Sequence, residues 1–107
     1  MTQYETFKRD NLLVDFLFEH KGIQNIVSAK AICEFLNERG YHAKPDSINA
    51  VIRRVMFERR LPICSVNSKG YFWATTKEEI QMTIDDLQGR IEETQNRIEH
   101  LQSFIIN

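Results

Sequence analysis

The side chains most able to do chemistry in this chain lie between Lys44 and Lys69, and they are groups for recognition rather than reaction. Six Lys/Arg and two Asp/Glu fall in residues 44–69, a local balance of +4 in a chain of net charge −1. Lys44, Arg53, Arg54, Arg59, Arg60 and Lys69 have the charge and reach to meet phosphate oxygens. Ser47, Asn49, Ala50 and Arg53 are residue types that meet base edges. A hydroxyl or an amide can donate and accept there, a methyl packs on thymine, and a guanidinium forks onto guanine. The expected chemistry is non-covalent contact with double-stranded DNA. The same residues also suit an ordinary solvated helix face, and the near-neutral total charge argues against indiscriminate nucleic-acid binding.

Catalytic and metal-binding patterns are missing from the sequence. It has no phosphate-binding glycine loop, no G-x-S-x-G, no H-E-x-x-H and no C-x-x-C. Glu78-Glu79, Asp85-Asp86 and Glu92-Glu93 are adjacent pairs on a helical pattern, so the members of each pair point about 100° apart. A solvated outer face explains them better than a metal site does. Cys33 and Cys64 are distant in sequence and fall on apolar faces, as reduced buried thiols do. His20, His42 and His100 form no ligand spacing with them. The expectation is a non-enzyme with no cofactor and no metal.

These groups need elements to position them. Ile48, Val51, Ile52, Val55 and Met56 repeat at helical spacing and predict a helix from Asp46 to about Arg59, with Pro45 in its first turn and Asp46 as its N-cap. Asp46, Ala50, Arg53 and Phe57 share its opposite face. Pro62 stops the helix. Ile63 to Val66 then predicts a strand, Asn67-Ser68-Lys69-Gly70 a turn, and Tyr71 to Thr75 a return strand with rings on both faces. One ring face should seal the core, and the other should meet the C-terminal helix or a partner. Lys69 stands at the tip, where such a hairpin touches phosphate.

Upstream, residues 1–5 carry no structural signal. Phe7, Leu12, Leu13, Phe16 and Leu17 line one face of a first helix over Thr6 to His20, stopped by Lys21-Gly22. Val14 and Phe18 fall off that face and suggest a second contact, with the C-terminal helix or a second subunit. Ile23 to Val27 predicts a short extended piece that pairs with the hairpin. Ser28 caps a second helix with the buried stripe Ala29, Ile32, Cys33 and Leu36, ended by Gly40. Helix, link over residues 41–44, basic helix and hairpin make a winged helix-turn-helix, mainly helical α+β, over residues 1–76.

Residues 77–107 form the second unit, acidic at −4 against +3 for residues 1–76. Thr76 and Glu79 predict a capping box, and the helix after it should run to the chain end. Ile84, Ile91, Ile98 and Ile105 occupy heptad position a, and Ile80, Leu87, Thr94 and Leu101 position d. Isoleucine at a with leucine at d favours a parallel pair. Arg90 and Arg97 at g would face Gln95 and Gln102 at e, which leaves an antiparallel pair open. A helix over 77–105 is about 43 Å long, while a head of about 75 residues has a radius of gyration near 11 Å. The far half must overhang, and its group Ile98, Leu101, Phe104, Ile105 and Ile106 would be a bare apolar patch on a monomer. A homodimer is therefore expected. Burial of large aliphatics at about 1.5–3 kcal/mol each can outweigh the cost of association.

The run from Leu61 to Ile91 resembles small winged-helix proteins of phages and bacterial mobile elements. Pro62, Ile63, Ser65, Gly70, Tyr71, Thr76, Glu78, Glu79, Leu87 and Arg90 carry the resemblance, which covers about the last half of the chain. It implies a DNA-binding accessory or regulator of transcription or replication and contributes no catalytic residue. With no run of eighteen apolar residues and no charged-then-apolar leader, a cytoplasmic protein of a bacterial host cell is expected, without a membrane role. Two functions follow from these residues. One is a dimeric DNA binder that places the helix over 46–59 in the major groove. The other is a winged module that docks or inhibits a replication, recombination or host-defence protein without reading DNA, favoured by an outward Phe57.

Overall fold

The computed structural model describes residues 1–67 and 69–105. They form four α-helices and one hairpin: α1 (Gln3–Phe18), α2 (Ala29–Asn37), α3 (Pro45–Arg59), β1 (Ile63–Val66), β2 (Gly70–Trp73) and α4 (Lys77–Gln102), with a 3₁₀ turn at Ile23–Asn25. The chain is thus mainly helical with one two-stranded antiparallel sheet. Ser68 of the expected turn and Ile106 of the expected apolar tail lie outside the described residues.

The helix starts follow local chemistry, with two departures from the sequence pattern. α1 begins at Gln3, not Thr6, because the Thr2 hydroxyl accepts the Glu5 N–H at 3.1 Å and donates to the Glu5 carboxylate. The Thr2-x-x-Glu5 spacing was the signal, and residues 1–5 are ordered by it. α3 takes Lys44, not Asp46, as its N-cap. Pro45 fills the first helical position, where no N–H is needed, and Asp46 falls inside the first turn. Ser28 caps α2 by accepting the Ala31 N–H at 3.1 Å, as expected. α3 ends at Arg59, with Arg60 as a left-handed cap at φ 55°, and Pro62 follows.

The core is the junction of α1, α2 and α3. Leu13, Leu17, Ile32, Leu36, Ile48, Ile52 and Val55 are fully buried in it, with Val27, Cys33 and Ile63 at its margins. Phe7 does not join them. It is 59% exposed near the start of α1, and Asp10 takes the buried position on that face. Val14 packs on this core, and Phe18 meets Trp73 edge-on at 5.0 Å, so their second contact is within the head.

β1 and β2 pair in the register Ile63↔Trp73, Cys64↔Phe72 and Ser65↔Tyr71. Alternation splits the strands into two faces. Ile63, Tyr71 and Trp73 close the main core, while Cys64 and Phe72 form a second cluster with Ala74, Ile23, Ile26 and Val66. The outer ring face therefore packs on the segment after α1, and Phe72 also borders a cleft with Glu79, Met82, Thr83 and Asp86 of α4. β2 is also shorter than the sequence suggested and ends at Trp73. The expected extended piece at 23–27 is mostly a 3₁₀ turn. Only Val27 pairs, through two 2.8 Å bonds with Tyr71. Gly70 is required there, since a Cβ on it would stand 2.1 Å from the Val27 carbonyl oxygen.

α4 is capped by Thr76, which accepts the Glu79 N–H at 3.1 Å. The Glu79 carboxylate also accepts the Thr75 N–H at 2.8 Å and the Ile23 N–H at 2.7 Å, which ties the helix start to the loop after α1. α4 then passes beside β1 and leaves the head. It stops at Gln102, so Ile105 sits in a turn beyond the helix and not on its seam. The 26-residue helix gives the chain extents of 55 × 33 × 23 Å and a radius of gyration of 16.8 Å, against about 13 Å for a compact chain of this length. Among the described residues, no helix is long and apolar enough to cross a membrane.

Candidate nucleic-acid interface

α3 buries Ile48, Ile52 and Val55 and turns the rest of its circumference outward. The basic and polar residues expected to act together are divided by the fold. Asn49 accepts a hydrogen bond from the Tyr71 hydroxyl, which joins α3 to β2. Arg54 turns toward α1. Its Nη2 is 2.9 Å from Oδ2 of the buried Asp10, and its Nη1 is 2.9 Å from Oε2 of Glu58. Arg9 holds the other Asp10 oxygen at 3.2 Å. The hydrogen bond to Asp10 is the main reason the Arg54 guanidinium is held even more firmly charged than usual. Arg59 donates to the Asn11 side chain at 2.8 Å and lies over the Phe7 ring. Arg54 and Arg59 thus brace α3 on α1, and Asn49 braces it on the hairpin.

The remaining residues stay open. Ser47, Ala50 and Arg53 are exposed on one side of α3, with Lys44 at its start and Arg60 just past its end. Lys69 is exposed in the hairpin turn. Arg53 makes no hydrogen bond or ion pair among the described residues. Burial pushes the Tyr71 pKa up, and the nearby positive charge of Arg53 opposes that rise with a smaller effect. Phe57 continues the Ala50–Arg53 face and is 74% exposed. Between α3, the hairpin and α4 lies a cleft of ≈ 400 Å³, lined among others by Asn49, Arg53, Asn67, Tyr71 and Arg90. Arg90 donates to Asn67 and pairs with Asp86 at 2.9 Å, so Arg53 is the uncommitted cation of that cleft.

Sequence periodicity did not point to Asp10, Asn11 or Glu79 as the residues that hold the head together. For Asp10 a signal existed: with Leu13 and Leu17 it continues the buried stripe of α1, and a carboxylate on such a stripe requires a cationic partner. The partner, 44 positions away, has no local signature. Cys33 and Cys64 are free and buried, burial pushes the Cys33 thiol up, and no described group of three or more His, Cys, Asp and Glu could hold a metal.

The expected association residues Ile80, Ile84, Leu87, Ile91, Thr94, Ile98 and Leu101 all lie on α4 and all are exposed. The helix meets its own head through a different line, in which Glu79, Thr83 and Asp86 are half-buried and Arg90 bonds to the hairpin turn. Comparison with family models, with curated proteins and with solved structures finds no match to this chain.

Proposed function

We propose that the chain is a winged helix-turn-helix protein that binds double-stranded DNA as a homodimer, with α3 in the major groove. The observation that carries this is the uncovered face Ser47, Ala50 and Arg53, bracketed by Lys44, Arg60 and Lys69. Short side chains allow the helix to approach base edges closely, and the surrounding cations meet phosphates. The order α2, link, α3, hairpin supports the winged reading, as does the Val27–Tyr71 pairing, which stands where a third strand would. On this reading residues 1–76 are the DNA-binding head and 77–107 the association unit. Base contacts narrow to Ser47, Ala50 and Arg53, because Asn49 is engaged by Tyr71. Phosphate contacts narrow to Lys44, Arg53, Arg60 and Lys69. The resemblance to phage and mobile-element proteins supports a regulatory or replication-accessory role on DNA in a bacterial cytoplasm.

A fluorescence-anisotropy titration of the full chain tests this, with duplexes selected from a random-sequence library. Four phosphate contacts on each of two heads correspond to a slope of log K on log salt of about −7, and Arg53→Ala lowers the magnitude of that slope. Affinity indifferent to salt and to Arg53→Ala removes DNA from the reading.

The bare Phe57 ring favours a second reading, in which the same face docks a protein of the replication, recombination or defence machinery. Exposed aromatics anchor protein contacts more often than they read bases. Phe57→Ala separates the two, because it leaves DNA affinity and its salt slope in place if α3 reads DNA.

A further inference from the structure

On the reading that α4 joins two copies, we infer that the two helices run parallel and in register, with both heads at one end and both chain ends at the other. The surface fits a helix of the same kind. Leu87, Arg90, Ile91, Thr94, Gln95 and Ile98 line an open groove of ≈ 500 Å³ on α4. Those six residues are two overlapping sets at spacing i, i+3, i+4, i+7, and each set is the four-residue hole that receives one side chain of a partner helix. The occupant is therefore a helix with the same heptad, and the chain itself supplies one. The head borders this groove only at its near end, where Leu87 and Arg90 also line the cleft with α3 and the hairpin. Its own attachment runs along Glu79, Thr83, Asp86 and Arg90, on the flank of the seam.

Three features of the seam select direction. Isoleucine at 84, 91 and 98 with leucine at 87 and 101 is the distribution of a parallel pair. Thr94 is the one polar residue of the seam within α4. In a parallel pair it meets the second copy's Thr94 in a single layer, where the two hydroxyls can bond to each other or to a carbonyl one turn back. An antiparallel pair sets it against Ile91 twice, so each hydroxyl loses the other as a partner and keeps only the carbonyl one turn back in its own helix. Charge acts the same way. The antiparallel alignment that pairs Ile91 with Thr94 also brings Arg90 against Arg97 of the other copy, at both ends of the seam centre. The parallel alignment faces each arginine with a glutamine, Gln95 or Gln102. In that alignment the exposed Phe104 side chains also converge at one end.

Cross-linking of the full chain decides between these. Leu101→Cys and Ile84→Cys are made separately, each at an exposed seam position, and wild type controls for Cys33 and Cys64. Oxidation with copper–phenanthroline at micromolar protein should convert Leu101→Cys alone into a disulfide-linked dimer. Cross-linking only when Leu101→Cys is mixed with Ile84→Cys, in a protein that sediments as a dimer, overturns the parallel direction while self-association stands. Sedimentation of wild type as a monomer across the same concentrations overturns self-association and the inference together.

Discussion

α3 and α4 are both amphipathic helices, and the fold treats them in opposite ways. α3 buries its apolar stripe in the head and uses its arginines as braces, Arg54 to Asp10 and Arg59 to Asn11. α4 leaves its apolar stripe bare and attaches by polar groups, Glu79 to the Ile23 N–H and Arg90 to Asn67. Burial of apolar area drives both placements. The difference is supply. The core between α1, α2 and the hairpin covers one helical stripe, that of α3. α4 passes beside β1 and extends past it. An apolar stripe therefore states that a surface must be covered, and the folded context determines whether the chain or another molecule covers it.

Substitutions in the two stripes should separate most clearly. Ile52→Ala, at a fully buried site of α3, should lower the stability of the head by about 2–5 kcal/mol in urea denaturation. Arg54→Ala comes next, at about 1–3 kcal/mol. It strips one of two cations from the buried Asp10, while the partly exposed position of Arg54 and the retained Arg9 moderate the loss. If Arg54 acted only on DNA, this variant would bind more weakly at unchanged stability. Ile91→Asp lies on the stripe past the residues of α4 that border the head, and Ile91 is 64% exposed. Head stability in dilute protein should shift by no more than about 0.5 kcal/mol, while sedimentation reports loss of the dimer. A large fall in the dilute unfolding midpoint would mean that α4 supports its own head after all.

The smallest effect is at the polar attachment. The N–H groups of Thr75 and Ile23 hold the Glu79 carboxyl below the usual carboxylate range. Through that range the unfolded chain binds more protons than the folded one, so stability rises with pH there. The Glu79 contribution is present above the unfolded value and is lost as pH falls through the folded one. Urea midpoints from about pH 6 to about pH 3 should show a shallower slope in Glu79→Gln than in wild type. Identical slopes would mean that the clasp on Ile23 does not hold α4.

Much of the architecture was legible residue by residue. Ser28, Gly40, Pro62 and the Thr76–Glu79 pair marked their boundaries because capping and helix-breaking are properties of adjacent residues. The apolar stripe of α4 was legible because its residues recur at a seven-residue spacing. The candidate interface was legible only in part. Lys44, Ser47, Ala50, Arg53, Arg60 and Lys69 are where a helical wheel and a hairpin turn put them, on the outside. Asn49, Arg54 and Arg59 are on the same wheel but belong to the scaffold. Phe7 went the other way, from expected core to surface, because α1 crosses α3 with Asp10 inward.

The sequence alone determined the order of the four helices and the hairpin, the apolar stripe of each helix, and the basic character of residues 44–69. These rest on hydrogen-bond periodicity and capping, which act within a few residues of chain. Only the tertiary structure decided which arginines are spent as braces, which ring faces meet which loops, and which side of α4 touches the head. Those outcomes depend on pairs such as Arg54 and Asp10, or Glu79 and Ile23, 44 and 56 positions apart. Packing three helices around one core sets their separation, and no local pattern carries that distance.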